Sequence, residues 1–397
     1  HQPRRQRQMC IRDRIMKNNL ILFLILLCSC DTVEYNPENI NFDNKEYSEA
    51  FQLIDYWLEA QKDYENLPGL TAIVTDKKET KWTGSFGFSD GVQPMRVENT
   101  FSICSISKLF TAVAIMQLVE DGKINLDDPI QKVLPWFDIK NDFKDAPELT
   151  IKSILSHSSG LPRESNHPYW SWPDFPFPTK QDVIDELKNQ EMLYPPSKYY
   201  QYSNLGLSLL GFIVEEVTQT NFDDYVNQNI LIPLSMNNTK TYMSTEDYGK
   251  NLTLGYSSLN RNNEREKVNF FNADGIAAAA GFTSNVEDLA KFARWQIDLV
   301  KSLEKKILSP ETLKLMHEIH WDDELTSVTR GLGFGVYNFD GDNWVGHGGS
   351  CPGYRSQLYI NTNKELAYSV MINSSGTSPT KYIDCLLYTS PSPRDSN

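Results

Sequence analysis

The sequence predicts an α+β (α/β) domain in which both chain ends build one antiparallel sheet, flanked by helices, with a mostly helical insert between them. Three observations carry this. Strand patterns separated by polar turns occupy the early part of the chain (70–74, 81–88) and the late part (333–339 to 366–373). Helical patterns broken by Pro-rich loops fill the middle, from Ser105 to about residue 300. No internal repeat is found, so a helix–strands–helices–strands order closes into one core only if the terminal strands meet.

The elements follow in order. Residues 45–64 form a helix, since Phe51, Ile54, Trp57 and Leu58 recur at helical spacing. Residues 70–74 and 81–88 pair around the polar turn 76–80. The run that follows Ser105 is apolar nearly all round, which marks a buried helix. The loop 167–179 (HPYWSWPDFPFPT) carries Trp170, Trp172, Phe175 and Phe177, aromatics that either line a cleft or cap the core. Residues 205–217 give a second apolar helix. The last strands are 333–339, a turn at Asp340-Gly341, then 344–345, 357–360 and 366–373. One domain is therefore expected over 45–384, its sheet part at 45–100 and 301–384 and its helical part at 101–300.

Both termini read as foreign. Residues 8–13 and 385–390 are encoded by one short DNA element read in opposite directions, resembling a transposon adapter used for sequencing libraries. Residues 1–14 and 385–397 are accordingly set aside, and the natural chain is expected to continue past Asp384. Met16-Lys17-Asn18-Asn19 then precedes the apolar run LILFLILL and Cys28-Ser29-Cys30. A basic start, a short apolar core and a small residue before a cysteine make a signal over 16–29. The run is too short to cross ~30 Å of hydrocarbon, and its end resembles a lipobox, which implies a lipid on Cys30. Residues 30–44 are then a polar tether. The expectation is an exported protein, lipid-anchored to a bacterial membrane on its periplasmic side or at the cell surface.

Residues 30–384 hold 31 Lys/Arg against 50 Asp/Glu, a net charge of −19. No nucleic-acid partner is expected of so acidic a chain, since phosphate contacts need cationic side chains. Within 45–384 the cysteines are Cys104 and Cys351. Two free thiols are the expectation, because disulfide geometry is strict. His317-x-x-His320 with Asp322 has a metal-like spacing but no further histidine or cysteine nearby, so neither a metal nor a cofactor is expected.

Ser105 and Lys108, in FSICSISK, are three apart and can meet on a helix. Burial would desolvate Lys108 and favour its neutral form, and a neutral amine beside a hydroxyl is a general base for a serine nucleophile. The same spacing recurs at Ser302/Lys305, in the charge-rich KSLEKK, and at Ser378/Lys381, in a loop. Neither is placed to be buried.

Two further pieces follow: Tyr202-Ser203-Asn204 before an apolar helix, and His347-Gly348-Gly349 between strand patterns. SxxK, YxN and HxG in this order resemble the serine β-lactamase and penicillin-binding-protein superfamily, in particular its class C-related branch with DD-peptidases, D-aminopeptidases and esterases. The resemblance runs from Tyr47 to Asn373 and includes the connectors at 118–130, 149–162, 202–218, 233–239 and 280–292. It implies a β-lactamase/transpeptidase-like fold and a serine hydrolase forming an acyl-enzyme on Ser105, with Lys108 and Tyr202 moving protons. It further implies that Asn204 binds the amide side of the substrate and that His347 stands where other members have lysine. Gly348 and Gly349 would let substrate lie along the strand, and the N–H groups of Ser105 and Ser350 would form the oxyanion hole. His157, in SHSSG, is expected to be scaffold. The implied substrate is a cell-wall-type peptide or ester, handled by a monomer. A weak class C-like β-lactamase and a penicillin-binding sensor without turnover are the alternatives.

Overall fold

A computed structural model describes residues 45–323, 327–339 and 341–389. The signal, Cys30 and the tether lie outside them. The strands are β1 (Gly69–Asp76), β2 (Thr80–Gly87), β3 (Phe101–Ser102), β4 (Thr283–Ser284), β5 (Trp321–Asp323), β6 (Val328–Arg330), β7 (Gly335–Phe339), β8 (Asp342–Cys351), β9 (Tyr354–Asn361) and β10 (Leu366–Ile372). Eight of them form one antiparallel sheet in the order β2-β1-β10-β9-β8-β7-β6-β5. The chain ends meet where β1 pairs with β10, Leu70 opposite Ile372 and Asp76 opposite Leu366. β3 and β4 form a separate two-stranded ladder inside the helical part.

Period-two alternation explains why β1 is buried almost throughout. Leu70, Ala72 and Val74 face a cluster containing Phe51, Ile54 and Leu58 of helix α1 (Lys45–Tyr64), while Ile73 faces the main core. β10 divides in the same way, with Tyr368, Val370 and Ile372 on the first side and Ala367 and Met371 on the second. The α1 face also packs on Tyr382, Ile383 and Leu386 of the last helix, Thr380–Thr389. Residues set aside as foreign thus extend that helix, and Leu386 is buried within it. Fully burying each such side chain contributes roughly 1.5–3 kcal/mol.

In the main core, helix α2 (Ser107–Glu120) is buried from Ser107 to Leu118 and packs against α3 (Asn204–Thr218). α3 starts where it does because the Ser203 hydroxyl accepts from the Gly206 N–H, capping an otherwise orphaned donor. The aromatic loop mainly caps this core. Tyr169 and Phe175 are buried, Trp170 and Phe177 pack beside Tyr169 with tilted rings, and Trp172 is exposed.

Two differences from the sequence reading concern the sheet. β5 and β6 were not foreseen. His347-Gly348-Gly349 lies not between strands but within β8, a ten-residue strand whose glycines mask its pattern.

Candidate active site

Ser105 sits in a 3-10 turn, Cys104–Ile106, that runs directly into α2, and Lys108 lies in the first helical turn. The expected single regular helix is therefore a tight turn followed by a helix. Cys104 has φ +50°, in the left-handed region that costs a non-glycine residue about 1–3 kcal/mol unless its surroundings impose it. Here they do. Ile103 N–H donates to Phe282 O (2.9 Å), Ser356 Oγ donates to Ile103 O (3.0 Å) and Ser107 Oγ donates to Cys104 O (2.5 Å).

Cys104 is also joined to Cys351 by a disulfide, their Cα atoms 5.8 Å apart. This corrects the expectation of two free thiols. Sequence distance hid the pairing, because the fold brings the last residue of β8 against the turn that carries Ser105.

Lys108 is wholly buried. Its Nζ lies 3.2 Å from Ser105 Oγ, 2.7 Å from Asn204 Oδ1 and 2.7 Å from Ala279 O. Burial holds its pKa well below the ordinary lysine value; Arg163 and Arg330 push the same way and Glu164 opposes them. The Tyr202 hydroxyl is directed at Ser105. Desolvation raises its pKa above the tyrosine norm, against the lowering effect of Ser105, so it holds its proton at neutral pH. The His157 ring backs the Tyr202 ring at 4.4 Å, and Lys108 Nζ lies 4.9 Å from the Tyr202 ring centre. His157 itself is buried, accepts from Ser203 N–H at Nδ1 (3.2 Å) and stays neutral because burial lowers its pKa, which fits the scaffold reading.

Asn204 differs from its implied role. Its Nδ2 donates to both Glu164 oxygens, at 2.8 and 2.9 Å, while its Oδ1 faces Lys108, so in this arrangement its amide is engaged by protein. Asn204 links Glu164 to Lys108. Glu164, which also accepts from the Tyr169 hydroxyl and from Arg163 Nε, was not singled out from sequence.

His347 is buried on β8, with Nδ1 against Gly348 O at 2.6 Å. Only a protonated Nδ1 can bond a carbonyl, so this assigns the proton to Nδ1 and leaves Nε2 an acceptor. Nε2 is buried and meets no protein partner among the described residues. Burial, then Arg330 and Lys108, keep the imidazole pKa well below its usual value. His347 is thus neutral, and the cations beside the site are Arg163, whose guanidinium lies 4.9 Å from the Tyr202 ring centre, and Arg330 of β6. Arg330 donates from Nη2 to Tyr200 Oη (2.8 Å), and its buried Nε has no hydrogen-bond partner among the described residues. Sequence reasoning missed it because β6 is three residues long and carries no alternation.

The glycines serve the fold in an unexpected way. A Cβ on Gly349 would fall 2.2 Å from Ile103 O and 2.1 Å from Ser356 Oγ. The missing side chain therefore admits the backbone before the nucleophile turn, rather than chiefly substrate. On Gly348 a Cβ would meet the movable end of Gln357. β7 pairs with β8 only as far as Gly346, so among the described residues His347 to Cys351 pair with β9 alone, and Ser350 is exposed. That leaves one edge of β8 open beside Ser105.

The remaining candidates separate from this cluster. Ser302 bonds Glu304 O at the surface, and Lys305 pairs with Glu120. Lys381 pairs with Glu65. His317 Nε2 bonds Gln296 Oε1 (3.0 Å), His320 Nε2 bonds Leu315 O (2.8 Å), and no metal-holding group of side chains occurs among the described residues.

The beta-lactamase family model matches residues 54–384. Penicillin-binding protein 4* of Bacillus subtilis (strain 168) is 27% identical over 317 residues, covering 75% of this chain and 67% of its own length. Beta-lactamase-like protein 2 of Dictyostelium discoideum is 29% identical over 236 residues, covering 58% of this chain and 43% of its own length. Among solved structures, the octameric penicillin-binding protein homologue from Pyrococcus abyssi superposes with a TM-score of 0.75 at 27% identity, covering 85% of this chain and 77% of that one. D-amino acid amidase from Ochrobactrum anthropi SV3 shares the fold, with a TM-score of 0.73 at 23% identity over 87% of this chain and 98% of that one. These relatives do not single out the class C branch. With the family match spanning most of the described residues, this chain belongs to the beta-lactamase family.

Proposed function

We propose that this chain is a serine hydrolase that forms an acyl-enzyme on Ser105 with a D-amino-acid-type peptide, amide or ester of cell-wall origin. One observation carries the reading. A neutral lysine amine has two N–H bonds and one lone pair. Asn204 Oδ1 and Ala279 O, both at 2.7 Å, take the two donors, which leaves the lone pair for the Ser105 hydroxyl at 3.2 Å. Lys108 then accepts the Ser105 proton as Oγ bonds to the substrate carbonyl carbon. The carbonyl electrons move onto oxygen, held by the N–H groups of Ser105 and Ser350. Tyr202, protonated and beside Ser105, passes a proton to the leaving group as the carbonyl re-forms, and Lys108 replenishes it. Water repeats the sequence on the acyl-enzyme and restores Ser105.

Substrate choice follows from Arg330 and His347. Arg330 offers a permanent cation and His347 Nε2 offers an acceptor, so a substrate with a carboxylate and an N–H near the open β8 edge fits both. The D-amino acid amidase and penicillin-binding neighbours support amide and peptide substrates. The disulfide supports export, since such bonds persist in oxidising compartments. A lipid on Cys30 would then keep the enzyme at the membrane.

A substrate panel tests the proposal: D-Ala-D-Ala peptides, D-amino acid amides, p-nitrophenyl esters and a penicillin. Continuous turnover of a D-amino-acid peptide or amide is expected, with slower hydrolysis of the penicilloyl adduct. A stoichiometric burst on every substrate with no further product would instead make the chain a penicillin-binding sensor.

A further inference from the structure

The Cys104–Cys351 disulfide bridges two residues that each adjoin a proposed oxyanion donor. Cys104 immediately precedes Ser105, and Cys351 immediately follows Ser350. We infer that this disulfide is a positioning element for catalysis that sets the spacing between the Ser105 and Ser350 N–H groups. The inference rests on the acyl-enzyme reading above.

Chain connectivity explains why a cross-link is placed here. Ser350 lies near the end of β8, on the stretch that pairs with β9 alone and two residues before the hairpin tip at Pro352-Gly353. Ser105 lies in a tight turn entered through the left-handed Cys104. The hydrogen bonds around that turn fix Ile103, Cys104 and Ser107, and of their partners only Ser356 belongs to the sheet, on β9. Gly349 brings the two backbones into contact at Ile103 without bonding them. The disulfide is therefore the covalent link between the nucleophile turn and β8, with the Ser102 hydroxyl, just before the turn, 3.4 Å from Cys351 Sγ beside it.

The disulfide lies apart from the proton-handling groups. Lys108 is held by Asn204 and Ala279, and Asn204 by Glu164, none of which belongs to β8. Breaking the link should loosen the donor pair while leaving Lys108, Tyr202 and Arg330 in place. A misplacement of about 1 Å costs on the order of 10²-fold in rate, and loss of one donor about 10²–10³-fold.

The test starts from peptide mapping of the wild-type protein under non-reducing conditions, where a Cys104–Cys351 cross-linked peptide is expected. The rate constant for phosphonylation of Ser105 by a fluorophosphonate, a probe of the same oxyanion hole, is then compared between wild type and Cys104→Ala/Cys351→Ala, beside the inhibition constant of a non-covalent D-amino acid ligand. The account expects phosphonylation to slow by roughly tenfold or more with ligand binding changed less than twofold. If the double variant does not fold, the wild type reduced by a dithiol serves instead. Two electrons and two protons pass from the dithiol to the S–S bond, giving two thiols and a cyclic disulfide, and reoxidation must restore the rate. Free thiols in the wild type, an unchanged phosphonylation rate, or an equal fall in phosphonylation and ligand binding would each overturn the inference. Failure of wild-type Ser105 to react at all would instead refute the acyl-enzyme reading.

Discussion

Asn204 Oδ1 lies 2.7 Å from Lys108 Nζ, and the other end of the same amide is held by both oxygens of Glu164. A carboxylate thus reaches the proposed base through one intervening side chain. Glu164 is also the group that raises the Lys108 pKa against burial. Removing its charge lowers that pKa further. Glu164→Gln should therefore shift the acidic limb of the kcat/KM profile to lower pH, because the amine stays neutral over a wider range. A pH–rate profile with an ester substrate checks this; a limb that moves to higher pH would contradict the assignment.

The same burial has a stability signature. The folded pKa of Lys108 is depressed, so between that value and about 10.5 the unfolded chain binds a proton that the folded chain does not. Stability from this group therefore rises with pH across that window, by up to about 1.4 kcal/mol per pH unit, and levels off above it. Lys108→Met abolishes the dependence. Urea unfolding at several pH values should show the variant's stability, relative to wild type, falling as pH rises towards 10.5.

Neighbouring glycines should behave differently. Gly349→Ala drives a methyl into Ile103 O and Ser356 Oγ, so a loss of about 1–3 kcal/mol or more is expected, together with most of the activity. Gly348→Ala meets only the end of Gln357 and should cost little. Thermal melts of the two variants separate them, and equal effects would contradict the close approach of β8 to the nucleophile turn.

Arg330→Gln removes the permanent cation while keeping a hydrogen-bonding side chain. A charge-assisted hydrogen bond contributes about 1.5–3 kcal/mol, so KM for a carboxylate-bearing peptide should rise roughly tenfold or more while KM for a neutral ester changes little. Steady-state kinetics on both substrates decides it, and a uniform loss would assign Arg330 to structure alone.

The sequence made the larger architecture legible. Phe51, Ile54 and Leu58 placed α1, and the strand patterns at 70–74 and 366–373 marked the segments that pair as the second and third strands of the sheet. Ser105, Lys108, Tyr202 and His347 were found because each sits in a short local pattern, and the structure brings them together. Glu164, Arg330 and the disulfide were not legible, since each acts through a partner remote in sequence. Glu164 reaches Asn204 across 40 positions, and Cys104 reaches Cys351 across 247. Glycine-rich β8 was read too short for a related reason: strand propensity is low where backbone approach, not side-chain packing, fixes the residue.

The most direct measurement concerns Ser105. Wild type, Ser105→Ala and Ser302→Ala are incubated with a fluorescent fluorophosphonate and examined by gel and intact mass. One adduct per chain is expected on wild type and on Ser302→Ala, and none on Ser105→Ala that remains folded by circular dichroism. An adduct that persists on folded Ser105→Ala would contradict the assignment of the nucleophile.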